Sequence, residues 1–144
     1  MGHCFNSTVV DAPIEKTWET IRDFHSLGWA APVVERVDRV GDFAGDQPGA
    51  KRVLNGVFHE TLVLLDDANH HFSYSIDDGP GPVAKKAVSN YLGEVKLHPV
   101  TDTGQTLVVW TSSYESDDSE AVGELCNPIY QALLAALKAY FQNG

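Results

Sequence analysis

The sequence predicts an α+β fold in which antiparallel strands pack against one long C-terminal helix. Three observations carry this reading. A strand-like segment leads directly into a proline-led amphipathic helix, a long stretch of strand-and-turn sequence follows, and the chain closes on a helical apolar stripe. Strands joined by short turns pair antiparallel. Helices gathered at the two ends, instead of alternating with strands, exclude a parallel α/β sheet.

Taken in order, the first strand ends at Thr8-Val9-Val10. Asp11 is the expected N-cap of the next helix, with Pro13 in its first turn, where a missing N–H removes no bond. Ile14, Trp18 and Ile21 then share one helical face. Residues 24–29 form a second short helix or tight turn, ended before Pro32. Residues 33–40 alternate as a strand, and residues 41–49 form a loop rich in Gly, Asp and Pro. Residues 50–54 and 57–65 are strands joined by Asn55-Gly56, the strongest hairpin signal in the chain. Residues 66–69 turn into a strand over residues 70–76.

Residues 77–82, with two Gly-Pro steps, form the most loop-like segment. Residues 88–100 and 105–115 are long strands joined by the turn Thr101-Asp102-Thr103-Gly104. Asp118, Ser119 and Glu120 suit the start of the last helix, since acidic groups complement a helix N-terminus. Leu125, Ile129, Leu133, Leu137 and Phe141 run along that helix, and Pro128 should kink it or split it at Asn127. One helix does not fill a strongly curved sheet, so a cavity between the two is expected.

The chain has 144 residues, consistent with one domain spanning residues 1–144. Ten basic against twenty acidic residues give a formal charge of −10. Such a surface repels phosphate backbones and anionic lipid, so neither nucleic acid nor stable membrane association is expected. No apolar run reaches the roughly 18 residues of a membrane span. The N-terminus does not read as a secretory signal, and the expected location is cytoplasmic. Cys4 and Cys126 fit neither a zinc pattern nor a redox pair. His70 and His71 are adjacent and face opposite sides of a strand, His59 and Glu60 likewise, so no metal and no cofactor are expected. The oligomeric state stays open, a dimer included.

Several strings, in this order and spacing, resemble the START-like (SRPBCC) superfamily: Ala12-Pro13-Ile14-Glu15-Lys16-Thr17-Trp18, Trp29, Gly49-Ala50-Lys51-Arg52, Glu60-Thr61-Leu62, Leu65-Asp66-Asp67, Ser89-Asn90-Tyr91, and Trp110-Thr111 with Glu115. This group includes polyketide cyclases, lipid-transfer domains, birch-pollen-type allergens and abscisic acid receptors. The resemblance implies a helix-grip fold: a seven-stranded antiparallel sheet wrapped around the C-terminal helix, with two short helices after strand 1. It also implies an apolar cavity, but no particular reaction.

The resemblance further implies that Glu60 points inward. Strand parity then adds Phe58, Leu62 and Leu64, followed by Phe72, Tyr74 and Ile76 on the next strand. Tyr91, Gly93 and Val95, and Val109, Thr111, Ser113 and Glu115, are expected to face inward on the last two strands. The closing helix should offer Val122, Cys126, Ile129 or Tyr130, and Leu133. Such a wall, apolar with a few convergent polar groups, suits a small hydrophobic molecule.

Two function classes follow. One is a binding or carrier protein, in which Glu60 and Glu115 are hydrated at the mouth and Tyr91 is cavity wall. The other is an enzyme of the cyclase, dehydratase or hydrolase type, with Glu60 or Glu115 as general base and Tyr91 as acid or oxyanion donor. Residues 79–82 are either a gate or a plain surface loop. The chain departs from the hormone receptors in lacking their carboxylate-binding lysine, since Ala30-Ala31-Pro32-Val33 occupies that region. Asn55-Gly56 also replaces their first gate loop. Lys51 and Arg52 are the nearest cationic candidates, and one of them can face inward.

Overall fold

The computed structural model describes residues 1–143, and Gly144, the last residue of the expected domain, lies outside the described residues. Strand β1 (Gly2–Val10) leads into helix α1 (Ile14–Ile21) and a single 3-10 turn (Gly28–Ala30). Strands β2 (Val37–Val40), β3 (Lys51–Leu54), β4 (Phe58–Asp66) and β5 (His71–Asp78) follow. A second 3-10 turn (Gly81–Val83) precedes β6 (Val88–Pro99), β7 (Thr106–Ser116) and helix α2 (Ser119–Asn143). The strands form one antiparallel sheet of order β1-β7-β6-β5-β4-β3-β2, the helix-grip arrangement. Helix α2 packs across β1 and β7 and touches both 3-10 turns.

Local chemistry accounts for the elements. Trp18 and Ile21 bury the inner face of α1, but its cap differs from expectation: Pro13 takes the N-cap position with no side-chain cap, and Asp11 is exposed. The Thr17 hydroxyl instead donates back to the Pro13 carbonyl, and Thr106 Oγ1 donates to Ala12 from β7. Strand β2 starts later than its alternation suggests. Val33 and Val34 donate their N–H groups to Ala30, continuing the helical turn, and Val34 is buried. Asn55 and Gly56 both adopt positive φ (52° and 72°), the type I′ geometry that matches the twist of a hairpin. At the start of α2, Asp118 Oδ1 accepts the N–H of Ala121, as a cap should.

Pro128 neither splits nor ends α2, which runs unbroken through it. The proline sits on the exposed side of the helix next to exposed Glu124, so the carbonyl left without an N–H donor can be hydrated. Two β-bulges punctuate the β4–β5 ladder, between His59 and Glu60 and between Leu62 and Leu64, and another interrupts β6–β7 between Ser89 and Leu92. Each bulge bends the sheet and resets which side chains point inward. After the bulge at Val63, Leu64 therefore faces solvent, contrary to simple parity, and Leu65 packs on the core.

The hollow between sheet and helix is floored by aromatic rings. Tyr74 and Gly93 are direct cross-strand partners, and a Cβ at position 93 would fall within 2.6 Å of Tyr74 Cε1 and Oη. The bare glycine lets the phenol ring lie flat across β6. Trp110 meets Tyr74 edge-on at 6.4 Å and stacks on Tyr130 at 5.3 Å, while Tyr91 stacks on Tyr114 at 5.6 Å.

Candidate functional site

The type I′ turn at Asn55-Gly56 together with Val57 connects β3 to β4, and the register so formed builds the polar end of the site. Across that hairpin Arg52 is opposite Glu60 and Leu54 is opposite Phe58. Arg52 Nε donates to Glu60 Oε1 at 2.8 Å, and Nη2 approaches the same oxygen at 2.7 Å. Nη1 donates to the Phe24 carbonyl at 2.9 Å, and the guanidinium lies 3.8 Å above the Phe24 ring. Only 5% of Arg52 and 6% of Glu60 are exposed. Burying two charges costs more than an exposed pair returns, so the two are interdependent. Burial pushes the Glu60 carboxyl above its ordinary range, Arg52 opposes that shift through charge and hydrogen bonding, and Asp77 adds to it.

Beyond this pair lies a mainly apolar cavity of about 40 Å³, room for roughly three waters. Arg52, Leu54, Phe58, Glu60, Tyr74, Ile76 and Trp110 line it from the sheet, Leu27 from the chain just before the first 3-10 turn, and Cys126, Ile129, Tyr130 and Leu133 from α2. Phe58, Ile76 and Ile129 are only partly buried and form its rim. Val83, in the second 3-10 turn, is fully buried. Its side chain lies over Gly79, whose Cβ position is within 3.5 Å of Phe58, so residues 79–83 cover the rim. Asp78 Oδ1 accepts the N–H groups of Gly79 and Lys85 and closes that loop on itself.

The floor carries a chain of hydroxyls. Trp110 Nε1 donates to Tyr74 Oη at 2.9 Å, Tyr74 donates to Tyr130 at 3.3 Å, and Tyr130 is hydrogen-bonded to Tyr91. Tyr91 in turn donates to Cys126 Sγ at 3.5 Å. Burial raises the pKa of Tyr74, Tyr91 and Tyr130 and pushes the Cys126 thiol up to about 11. These hydroxyls and this thiol stay protonated at neutral pH.

Of the residues expected in the wall, Phe58, Glu60, Tyr74, Ile76, Cys126, Ile129, Tyr130 and Leu133 line the cavity. Leu62, Phe72, Tyr91, Gly93 and Val122 point inward but are buried in the surrounding core. Tyr91 reaches the cavity through its hydrogen bonds to Tyr130 and Cys126. On β7 the expected phase is inverted. Val108, Trp110, Ser112 and Tyr114 face the interior, whereas Val109, Thr111, Ser113 and Glu115 lie on the opposite, outer face. Glu115 is exposed and accepts a hydrogen bond from Asn90 Nδ2 at 2.7 Å. The candidate acid–base trio of Glu60, Tyr91 and Glu115 is therefore not assembled in one place.

Leu54, Trp110 and Leu27 were missed by strand parity, and of the two cationic candidates Lys51 and Arg52 it is Arg52 that faces inward. A two-residue Asn-Gly loop would set Leu54 opposite Val57 and Arg52 opposite His59, so the observed pairing, which leaves Asn55, Gly56 and Val57 all in the connection, was not readable from that dipeptide. Trp110 was obscured because residues 107–110 are apolar on both faces, and Leu27 lies in irregular chain without periodicity. Among the described residues, no group of three or more His, Cys, Asp or Glu side chains is placed to hold a metal ion. Nor, among them, is any helix long and apolar enough to cross a membrane.

The fold recurs in solved structures. A protein of Nitrosospira multiformis is 42% identical with a TM-score of 0.93, over 96% of this chain and 95% of that one. The protein XoxI of Bacillus cereus is 26% identical with a TM-score of 0.81, over 99% and 96%. A Thermobifida fusca protein is 25% identical with a TM-score of 0.81, over 97% and 93%. No curated protein matches the chain in sequence. A sequence profile of the polyketide cyclase / dehydrase and lipid transport family matches residues 2–142, and the chain belongs to that family within the START-like superfamily.

Proposed function

We propose that this protein binds and carries a small hydrophobic or aromatic molecule between α2 and the concave face of the sheet. The observation that carries the reading is an apolar cavity with one buried ion pair as its polar end. Family membership supports hydrophobic-ligand binding at the same coarse level. A few convergent polar groups in an apolar hollow orient a ligand without reacting with it. The dispersal of Glu60, Tyr91 and Glu115 argues against shared acid–base chemistry.

The hollow holds only a few waters as it stands, so a ring-sized ligand requires Phe58, Ile76 and Ile129 at the rim to move outward. Residues 79–83, packed on Phe58, would move with them and act as the gate. Mass spectrometry of protein purified from its host, with a thermal-shift screen of a hydrophobic library, tests the reading. A co-purified organic or a saturable stabilisation by library members is expected. Neither co-purified organic nor any shift overturns it. The variant Ile129→Trp, which fills the rim, should abolish the shift.

A further inference from the structure

The buried ion pair is asymmetric in a way that bears on ligand chemistry. Both close contacts from Arg52 fall on Glu60 Oε1, at 2.8 and 2.7 Å, instead of one on each oxygen. Glu60 Oε2 has no hydrogen-bond partner among the described residues, although the residue is buried and lines the cavity. The other polar atoms of the lining are engaged. Arg52 Nη1 is held by the Phe24 carbonyl, Trp110 Nε1 by Tyr74, the Tyr74 hydroxyl by Tyr130, and Cys126 Sγ by Tyr91. Among the polar side-chain atoms of the lining, Glu60 Oε2 is thus the one without a hydrogen bond to a described residue, and Glu60 borders both this apolar space and a second hollow with Lys51, His59, Asp77, Asp78 and Lys85.

We infer that Glu60 Oε2 selects ligands with a neutral hydroxyl, phenolic or alcoholic, at one end of an apolar body, and that anionic acids are excluded. This rests on the carrier reading above and adds the ligand's polar group to it. A hydroxyl donating to a carboxylate makes a charge-assisted hydrogen bond, about twice as strong as a neutral one. A ligand carboxylate at the same point would set two anions together in a poorly solvated site, and Asp77 adds to the negative potential at Glu60. Arg52 offers such an anion little, because Glu60 and the Phe24 carbonyl already take its charge and its short contacts.

The test is isothermal titration calorimetry at neutral pH with three probes sharing one apolar body: para-propylphenol, propylbenzene and para-propylbenzoate. The phenol is expected to bind about ten- to hundredfold more tightly than propylbenzene, and the benzoate more weakly than either. In Glu60→Gln the amide oxygen can keep the Arg52 contacts while the NH₂ faces the cavity, so the phenol's advantage over propylbenzene should collapse to less than about threefold. Equal binding of phenol and propylbenzene, or tightest binding of the benzoate, overturns donor selection and leaves the carrier reading standing. Failure of all three probes to bind overturns both. The wild-type series decides the matter even if Glu60→Gln does not fold.

Discussion

The flat seating of Tyr74 on a bare glycine gives a sharp stability prediction. In Gly93→Ala the new methyl would fall within 2.6 Å of Tyr74 Cε1 and Oη, far inside van der Waals contact. The ring cannot swing into solvent, because Tyr74 is 1% exposed and packs against Phe24, Phe72 and Trp110. Overpacking of this kind costs about 1–3 kcal/mol. Tilting the phenol also breaks its bonds to Trp110 and Tyr130, each contributing about 1 kcal/mol. A total near 3–5 kcal/mol follows, which for a chain of this size lowers Tm by roughly 10–20 °C. Urea and thermal unfolding followed by circular dichroism would measure it. Tyr74→Leu shortens the offending side chain, so the two substitutions should be strongly non-additive, with Gly93→Ala nearly neutral in the Tyr74→Leu background. A loss below about 0.5 kcal/mol in the single variant, or simple additivity in the double, would refute the packing argument.

The remaining predictions concern the ion pair, its titration, the buried thiol and the clamp on α1. Arg52→Ala leaves a buried carboxylate without its partner and should cost about 3–5 kcal/mol in chemical denaturation, whereas Arg52→Met combined with Glu60→Leu should recover most of that loss. Glu60 has a folded pKa above its unfolded value of about 4.3, so its contribution is fully present below that pH and is lost as pH rises through the folded value. The stability difference between wild type and Glu60→Gln should therefore move against wild type over that window, and parallel curves would disprove it. Cys126, buried and with its thiol pushed up to about 11, should resist a water-soluble thiol reagent at neutral pH until the protein unfolds. Asp67 accepts from Trp18 Nε1 at 2.7 Å and from Arg22, which holds its carboxyl below the ordinary range. That contribution is present above about pH 4 and lost as pH falls through the folded value, and Asp67→Asn should flatten this acid limb.

The legibility of the sequence followed the strength of local constraint. Asn55-Gly56 announced its hairpin because few other dipeptides adopt two successive positive φ values, and the α1 face was visible in the spacing of Ile14, Trp18 and Ile21. The β7 phase was unreadable from alternation, since Leu107, Val108, Val109 and Trp110 are all apolar. There the inward assignment of Glu115 set the wrong parity for Thr111 and Ser113. The bulges beyond Leu62 and at Asn90 leave no strong compositional mark, although Asn90 takes the positive φ (54°) that asparagine tolerates. Of the two outcomes expected at Pro128, a kink or a split at Asn127, the split does not occur, because a proline signal does not say whether the orphaned carbonyl faces water.

The three-residue connection between β3 and β4, Asn55-Gly56-Val57, has a reach well beyond its size. Lengthening it by one amino acid would rotate the preceding segment by half a pleat, sending the guanidinium to the outside and Lys51 or Val53 toward the interior. The carboxylate across the ladder would then be stranded in a greasy chamber. Anyone grafting epitopes, tags or longer connectors onto this protein should treat that corner as untouchable and choose the tip at Thr101–Gly104 instead, which is exposed.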